Sequence, residues 1–166
     1  TVVSAGSGSQ VNNTNDDYVS WCWKAGGAAV SNTDGTITST VSANPDAGFS
    51  IVKWTGDGTN ASIGHGLSST PEMIIIKPLD VQTAPDWKVY HSALGLQKVI
   101  YLNLSQGADV ILGSYWGSIN ATTFGQDGAD ISYLNIINND YIAYCFHSVD
   151  GYQKVGSYTG TGQPNN

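Results

Sequence analysis

The chain carries Asp140-Tyr141-Ile142-Ala143-Tyr144-Cys145-Phe146 near its end and a close copy, Asp17-Tyr18-Val19-Ser20-Trp21-Cys22-Trp23, near its start. In both copies an apolar side chain at every second position predicts a strand with one buried face. The residues expected to point to the core are Val19, Trp21 and Trp23 in the first copy and Ile142, Tyr144 and Phe146 in the second. A second echo follows each copy, at 48–58 and at 151–162. Because the strands recur and no reactive residue recurs with them, the repeat indicates a structural or binding module.

The composition favours an all-β protein. The 166 residues include 20 Gly, 9 Tyr and 5 Trp, but a single Glu and no Arg. This mixture suits strands joined by tight turns better than helices. We therefore predict one antiparallel β-sandwich, jelly-roll-like, with little or no helix. The strands are predicted at 17–24, 36–42, 48–55, 72–78, 87–91, 98–104, 109–113, 131–137, 140–147 and 152–159.

One predicted strand should lie in the middle of its sheet. Residues 73–77, Met-Ile-Ile-Ile-Lys, are apolar at successive positions, which is typical of a strand buried on both faces. Pro71 precedes this run and Pro78 follows it. Proline cannot donate to a strand ladder, so the two prolines bound the strand.

The repeat also sets the expected domain boundaries. We predict a linker or edge segment at 1–16, one sandwich domain at 17–162 and a tail at 163–166. Three tryptophans belong to the repeated segments and are therefore expected in or near the core: Trp21, Trp23 and Trp54.

The charge of the chain argues against two classes of partner. The formal net charge is −7, and the six basic residues are all lysines with no basic run. Nucleic-acid binding proteins depend on clustered Lys and Arg, and anionic lipid repels an acidic surface. The longest apolar run is also far too short to span a bilayer. We predict neither a nucleic-acid partner nor membrane insertion.

The two cysteines, Cys22 and Cys145, occupy matching positions in the repeat. If the two repeated strands pair, a disulfide between them is geometrically feasible. The alternative, which we favour, is two small buried thiols that pack as apolar side chains. A single pair of cysteines without CxxC or Cys/His spacing predicts no metal site.

No arrangement of residues predicts a catalytic centre. Most aspartates fall in Asn/Asp/Gly turns, where they bond the backbone, so they do not suggest the carboxyl pair of a glycosidase. His65 lies between two glycines and is expected to bond nearby backbone in a turn. His91 and His147 are at strand ends beside aromatic residues, which favours structural roles. We predict that the chain is not an enzyme and needs no cofactor.

Calcium is the one ion for which the sequence gives a weak signal. Asp127 and Asp130 flank Gly128, and Asp16 is adjacent to Asp17. A calcium loop needs clustered carboxylates at alternating positions. Neither set is complete, so no metal ligands are predicted.

Carbohydrate binding is an alternative function that exposed aromatic residues would support. Aromatic rings stack on sugar faces, and nearby Asp or Asn side chains bond the hydroxyls. The competing interpretation is that the tryptophans fill the sandwich. The candidate glycan-binding residues are Asp86, Trp87, Tyr115, Trp116 and Asn120.

Several ordered motifs resemble a domain of unknown function that recurs in tail and structural proteins of marine bacteriophages and cyanophages. They are the two repeated segments with their echoes and residues 64–77, which begin Gly64-His65-Gly66-Leu67. The resemblance covers residues 17–162. In that family the domain often lies beside concanavalin A-like lectin domains. The resemblance implies a virion component and carries over no catalytic or binding residues.

The motifs and the lack of a reaction centre together predict a phage virion module. We expect a tail-fibre or capsid-decoration protein on the virion surface or in the extracellular space. Its expected partners are other virion proteins, a host surface glycan, or further copies of the same chain in a homo-oligomer. The alternative is a carbohydrate-binding module of a secreted cellular protein.

Overall fold

The computed structural model describes residues 14–80, 86–110, 115–127 and 134–162. These residues form eleven strands in two antiparallel sheets, with 3-10 turns at Pro45–Ala47 and Ser92–Leu94. The predicted all-β antiparallel sandwich is confirmed. The strands are β1 Val30–Asn32, β2 Ser39–Asn44, β3 Phe49–Thr55, β4 Ala61–Gly64, β5 Met73–Pro78, β6 Lys88–His91, β7 Lys98–Tyr101, β8 Asp109–Val110, β9 Trp116–Ile119, β10 Thr123–Gln126 and β11 Asp140–Phe146.

The two sheets are unequal in size. The large sheet has the order β1-β2-β3-β11-β5-β6-β7-β8, and the small sheet has the order β4-β10-β9. An isolated bridge between Ile37 and Ile63 connects the chain just before β2 to β4. It is reinforced by a hydrogen bond of 3.1 Å from the Ile37 amide to the Ser62 carbonyl. The start of the large sheet is therefore tied to the small sheet.

Strand β11 lies at the centre of the large sheet. It pairs along its length with β3 on one side and with β5 on the other. Tyr141, Ala143 and Cys145 point to the core and are fully buried, whereas Ile142 and Tyr144 on the opposite face are half-buried. The strand at 140–146 and the central position of the apolar run in β5 are thus confirmed. The face of β11 that enters the core is the opposite of the one predicted, and of the three residues expected there, only Phe146 is buried. Apolar or aromatic residues occur on both faces of this segment, so alternation alone does not decide which face is buried.

Aromatic rings fill the space between the sheets. Trp54 of β3 stacks on Tyr141 with ring centroids 5.2 Å apart and meets Phe124 of the small sheet edge-on at 5.5 Å. Trp116 of β9 meets Tyr90 of β6 in the same edge-on way. Burial of each large apolar side chain contributes about 1.5–3 kcal/mol, so these contacts between sheets hold the sandwich closed.

The first copy of the repeat is not a strand, which corrects the prediction for 17–24. Strands β3 and β5 occupy both edges of β11, so residues 17–23 cannot pair with β11, the strand that they resemble. Residues 16–26 form an extended arm without regular secondary structure, here called the N-terminal arm. The prediction that the repeat tryptophans lie in or near the core is wrong for Trp21, which is 75% exposed. Trp23 is 48% exposed and packs on Phe146 from outside the core, and Trp54 is buried.

The cysteines differ in environment as a consequence. Cys22 is exposed on the N-terminal arm, Cys145 is buried in β11, and both are free thiols. The disulfide considered from the sequence is therefore not formed, and the expectation that both thiols are buried holds only for Cys145. Burial raises the pKa of the Cys145 thiol to about 12, so this thiol stays protonated at neutral pH.

Other differences from the predicted strands concern the chain ends and the small sheet. Residues 152–159 form turns and irregular backbone, and 134–137 contain no strand. Four short strands were not predicted: β1, β4, β9 and β10. Residues 1–13 of the predicted linker at 1–16 and the tail at 163–166 lie outside the described residues, as do 111–113 and 131–133 of two predicted strands. The first strand begins at Val30 rather than near residue 17.

Candidate functional site

A shallow polar groove lies on the outer face of the small sheet, the face turned away from the core. Its volume is about 390 Å³. Ile63 and Phe124 point inward to the core from β4 and β10, so Ser62 and Gly125, which alternate with them and pair across the ladder, point outward. The lining includes Thr36, Asn60, Ser62, Ser118, Asn120 and Asp127.

Two glycines form the floor of the groove. A Cβ atom on Gly125 would lie 3.0 Å from the Gly117 Cα atom and 2.9 Å from the Ser118 amide nitrogen. The register shifts at this point, so Gly117 and Ser118 of β9 lie opposite the single residue Gly125 of β10. At this β-bulge both glycines are buried at the bottom of the groove, so the floor is backbone without side chains, as is common where another group approaches closely.

Hydrogen bonds fix the polar side chains at both ends of the groove. At one end, the Asn60 amide donates to the Asp127 carboxylate at 2.5 Å. At the other end, the Asn120 Oδ1 atom accepts from the backbone amides of Thr122 and Thr123, each at 2.9 Å. The side chains are therefore held in place before any ligand arrives, which lowers the entropy cost of binding.

The groove can bind a neutral, hydroxyl-rich ligand better than it can perform chemistry. Among the residues that line the groove, only Asp127 has an ionisable side chain. General acid–base catalysis by carboxyl groups needs two such groups with different proton affinities. Amides, hydroxyls and exposed backbone are instead the groups that bond sugar hydroxyls.

The predicted glycan-binding residues do not form one site. Asn120 lies in the groove, whereas Trp87 lies on the outer face of the large sheet, with its ring 6.4 Å from that of Tyr144 and 5.5 Å from the Lys77 Nζ atom. Asp86 is beside Trp87 and accepts a hydrogen bond of 2.9 Å from the Asn103 amide. The two sheets of the sandwich separate these positions.

Tyr115 and Trp116 belong to the core, which corrects their assignment as sugar-stacking residues. Tyr115 is 3% exposed, and Trp116 has no exposed surface. The Trp116 indole Nε1–H donates to the carbonyl of Lys98 at 2.9 Å, so its polar group is satisfied inside the protein. The competing interpretation, that Trp116 fills the sandwich, is confirmed.

The groove residues that the sequence analysis missed left a weak signal in the sequence. In Trp116-Gly117-Ser118 and in Phe124-Gly125-Gln126, a glycine occupies the outward position of a short strand beside a large inward aromatic. Glycine at such a position often marks a bulge or a close approach. Because neither segment was predicted to be a strand, its glycine was not interpreted as the site of a bulge.

His65 joins the small sheet to the turn at Asn120. Its Nδ1 atom accepts from the Leu67 amide at 3.1 Å, so the proton is on Nε2, which donates to the Asn120 carbonyl at 3.1 Å. Backbone groups thus satisfy both ring nitrogens, as predicted for a turn histidine. Burial lowers the pKa of His65, and protonation of Nδ1 would also break its bond to Leu67.

We expect His65 to make the protein less stable as the pH falls below about 6.5, the pKa of an exposed histidine. Below that pH the unfolded chain binds a proton that the folded protein resists, so the free energy of unfolding decreases by up to about 1.4 kcal/mol per pH unit. Chemical denaturation between pH 7.5 and 5.5 measures the slope. The variant His65→Gln should have a flatter profile, and parallel profiles for the two proteins would contradict the assignment.

A second polar depression lies around Glu72 and His147. Its volume is about 530 Å³, and hydroxyl side chains at 68–70 line it. The Glu72 carboxylate accepts from the Ser148 amide at 2.5 Å. Hydrogen bonding to Ser148 lowers the pKa of Glu72, so this carboxylate holds backbone in place and is a poor proton acceptor.

The structure contains little that could hold a metal ion. Within 14–80, 86–110, 115–127 and 134–162, no group of three or more His, Cys, Asp or Glu side chains is arranged to bind one. Asp127 is engaged with Asn60. The other two residues considered with it for calcium, Gly128 and Asp130, lie outside the described residues, and Asp16 and Asp17 are on the exposed N-terminal arm.

The N-terminal arm carries several large apolar side chains that are exposed to solvent. Val19 is 76% exposed and Trp21 is 75% exposed, and Tyr18 is half-exposed. The ring of Trp23 packs against the sheet, 5.6 Å from the ring of Phe146. Isolated exposed apolar residues are ordinary, but a cluster that includes tryptophan is typical of an interaction surface.

No helix in the described part of the chain is long and apolar enough to cross a membrane.

Comparison with known proteins identifies the family but not the activity. The family described as Domain of unknown function (DUF7483) matches residues 1–166. No curated protein and no solved structure matches the chain significantly. The chain therefore belongs to the DUF7483 family.

Proposed function

We propose that this chain is a non-catalytic module of a phage virion, in a tail fibre or a capsid decoration, that presents surfaces for assembly or host attachment. The observation that carries the proposal is the N-terminal arm, which keeps Val19 and Trp21 about three-quarters exposed. Exposed tryptophan is costly in water and gains free energy when a partner covers it. The resemblance of the repeated motifs to phage structural proteins supports the same role and a place on the virion surface.

Virion composition is the direct test of this proposal. Phage particles that carry the gene should be purified on a density gradient and analysed by quantitative mass spectrometry. We expect peptides of this chain in a fixed ratio to a known structural protein of the same particle. Peptides found in the infected-cell lysate but not in purified particles would reject the virion role.

A second candidate function, carbohydrate binding, is favoured by the groove on the small sheet. Its glycine floor and its fixed amide and hydroxyl groups match the needs of a sugar ligand. Ser118 is exposed on the floor, so Ser118→Trp should fill the groove. Thr40, which is exposed on the large sheet, provides the matched control Thr40→Trp.

A glycan array followed by titration distinguishes the surfaces. If the groove binds sugar, Ser118→Trp should abolish binding, whereas Thr40→Trp should retain it. Loss of binding in Trp87→Ala alone would instead locate the site on the large sheet. The carbohydrate proposal fails if no glycan binds at millimolar concentration.

A further inference from the structure

The loop at residues 66–71, here called the connecting loop, runs between β4 of the small sheet and β5 of the large sheet. Its middle, at 68–70, is exposed, whereas Leu67 is 7% exposed and packs in the core. The Leu67 amide donates to the His65 Nδ1 atom at 3.1 Å. The loop is therefore held at its start by a buried apolar side chain and by a ring nitrogen that has to be unprotonated.

The two ends of the connecting loop respond differently to acid. After the loop, the Glu72 amide donates to the Phe146 carbonyl at 2.8 Å, and the Glu72 carboxylate accepts from the Ser148 amide at 2.5 Å. The hydrogen bond from Ser148 lowers the pKa of Glu72, so both bonds persist in mild acid. At the start of the loop, protonation of His65 would place two N–H donors against each other, at Nδ1 and at the Leu67 amide. Acid therefore loosens the loop at Leu67 and leaves it attached at Glu72.

His147 gives a second reason for the loop to open. Its Nδ1 atom is 2.9 Å from the Ser148 carbonyl, which can only accept, so Nδ1 carries the proton and Nε2 is an acceptor. This Nε2 atom is buried and has no hydrogen-bond donor in the described part of the chain. A buried polar atom without a partner costs free energy that contact with water recovers. Residues 68–70 and His147 line the same depression, so movement of the loop would admit water to Nε2.

The surroundings of the His65 ring set the direction of the pH effect. The ring has no exposed surface, and burial, the largest influence, lowers its pKa. Among the ionisable groups that act on the ring, the Asp34 carboxylate favours its protonation and the His147 ring opposes it. A histidine that water reaches has a pKa of about 6.5. The closed loop is therefore fully favoured above that pH, and the equilibrium constant for closing falls by up to about tenfold for each pH unit below it.

We propose that the connecting loop is an acid-opened flap, which moves away from the sandwich at its Leu67 end when His65 is protonated and thereby exposes Leu67 and His147. The small sheet stays joined to the turn after β9, because two bonds of His65 do not depend on Nδ1. Its amide donates to the Thr122 carbonyl at 3.1 Å, and its Nε2–H donates to the Asn120 carbonyl at 3.1 Å. The inference goes beyond the proposed function, because it concerns a conformational change of this fold in any role.

Native-state hydrogen exchange followed by NMR tests the flap on the unaltered full-length chain. Exchange through a local opening is insensitive to low concentrations of urea, whereas exchange through global unfolding accelerates with urea. After correction for the intrinsic exchange rate, we expect the protection of the Leu67 amide to fall by up to about tenfold between pH 6.5 and 5.5, with no response to low urea. The Ala143 amide at the centre of β11 should be better protected and should respond to urea.

His91 supplies the matched control for a variant of His65. Its Nδ1 atom accepts from the Ala93 amide at 3.2 Å, and its Nε2–H donates to the Gly156 carbonyl at 3.2 Å. It therefore makes the same two kinds of bond on a residue that is only half-buried. His65→Gln should remove the pH dependence of the protection at Leu67, because a glutamine side chain does not titrate, whereas His91→Gln should retain it.

Three outcomes would overturn the flap. The first is a Leu67 amide that exchanges with the same urea dependence as Ala143, since the loop then opens only when the whole protein unfolds. The second is protection at Leu67 that is equal at pH 6.5 and 5.5 in the unaltered chain, and this measurement decides even if His65→Gln does not fold. The third is a pH dependence that persists in His65→Gln, which would reject His65 as the trigger.

Discussion

Replacing Trp116 with alanine is expected to lower the free energy of unfolding by about 3–5 kcal/mol, the usual cost of removing a buried aromatic side chain. Trp116 has no exposed surface and packs edge-on against Tyr90 from the opposite sheet. The substitution leaves a cavity between the sheets, and the Lys98 carbonyl loses the indole N–H that bonds it at 2.9 Å. Denaturant unfolding followed by circular dichroism measures the change.

Trp21→Ala is the matched control for this variant. It removes the same side chain from an exposed position, so we expect a change within about 0.5 kcal/mol. Trp116→Phe should lie between the two, because it keeps most of the packing and loses the hydrogen bond. A loss of less than about 1 kcal/mol in Trp116→Ala would mean that Trp116 is at the surface, where the carbohydrate hypothesis had located it.

The second large effect is expected for Gly56→Ala, which should destabilise the protein by about 3 kcal/mol. A Cβ atom on Gly56 would lie 2.2 Å from the carbonyl oxygen of Ile136, so the backbone must move. The Gly56 amide donates to the Asn139 carbonyl at 2.8 Å, and the Gly56 carbonyl accepts from the Asn138 amide at 2.9 Å. Movement weakens both bonds, which tie the end of β3 to the turn before β11.

Gly160→Ala controls for the change from glycine to alanine itself. A Cβ atom on Gly160 meets nothing within 4 Å, and the residue is exposed near the end of the chain. The expected change in the free energy of unfolding is within about 0.5 kcal/mol. Equal destabilisation by both variants would show that the contact at Ile136 is not what excludes a side chain at Gly56.

Local patterns predicted the strands that form the middle of the large sheet. The period of two in 140–146 predicted β11 as a strand but indicated the wrong face as buried, because both of its faces carry apolar or aromatic residues. The unbroken apolar run in β5 matches a strand with neighbours on both sides. Such patterns can be read from one sequence because burial on one or both faces decides which residues are tolerated. The turn at Asn44-Pro45-Asp46 follows a local rule of the same kind, because Asn44 caps a 3-10 turn that begins with the proline.

The same local pattern misled the prediction for the N-terminal arm. Residues 17–23 and 140–146 have similar sequences, yet one copy is exposed and the other is the central strand. The difference is not local, because β11 has two long neighbours and 17–23 has none in the described structure. A strand needs partners for its backbone groups, and alternation in the sequence does not supply them.

The candidate groove was largely hidden from the sequence for a similar reason. Asn120 was predicted as a candidate residue, but Asn60 is far from it in the chain and meets Asp127 in the groove only because β4 and β10 pair. Strands β9 and β10 have four residues each, too few for a period of two to stand out. Trp87 and Trp116 were equivalent candidates in the sequence, and only the packing of the sheets left one half-exposed and buried the other.

The sequence by itself determined that this protein is an all-β sandwich without a basic surface, because composition, turn residues and alternation act through short-range rules. The tertiary structure alone decided which copy of the repeat became the central strand, which tryptophans entered the core and where two glycines meet on the floor of a groove. Those outcomes depend on which segments compete for the two edges of β11 and for the space between the sheets. The free energy of the whole fold decides this competition, because the sequence of a single segment specifies neither the strands that pair with it nor the residues that bury it.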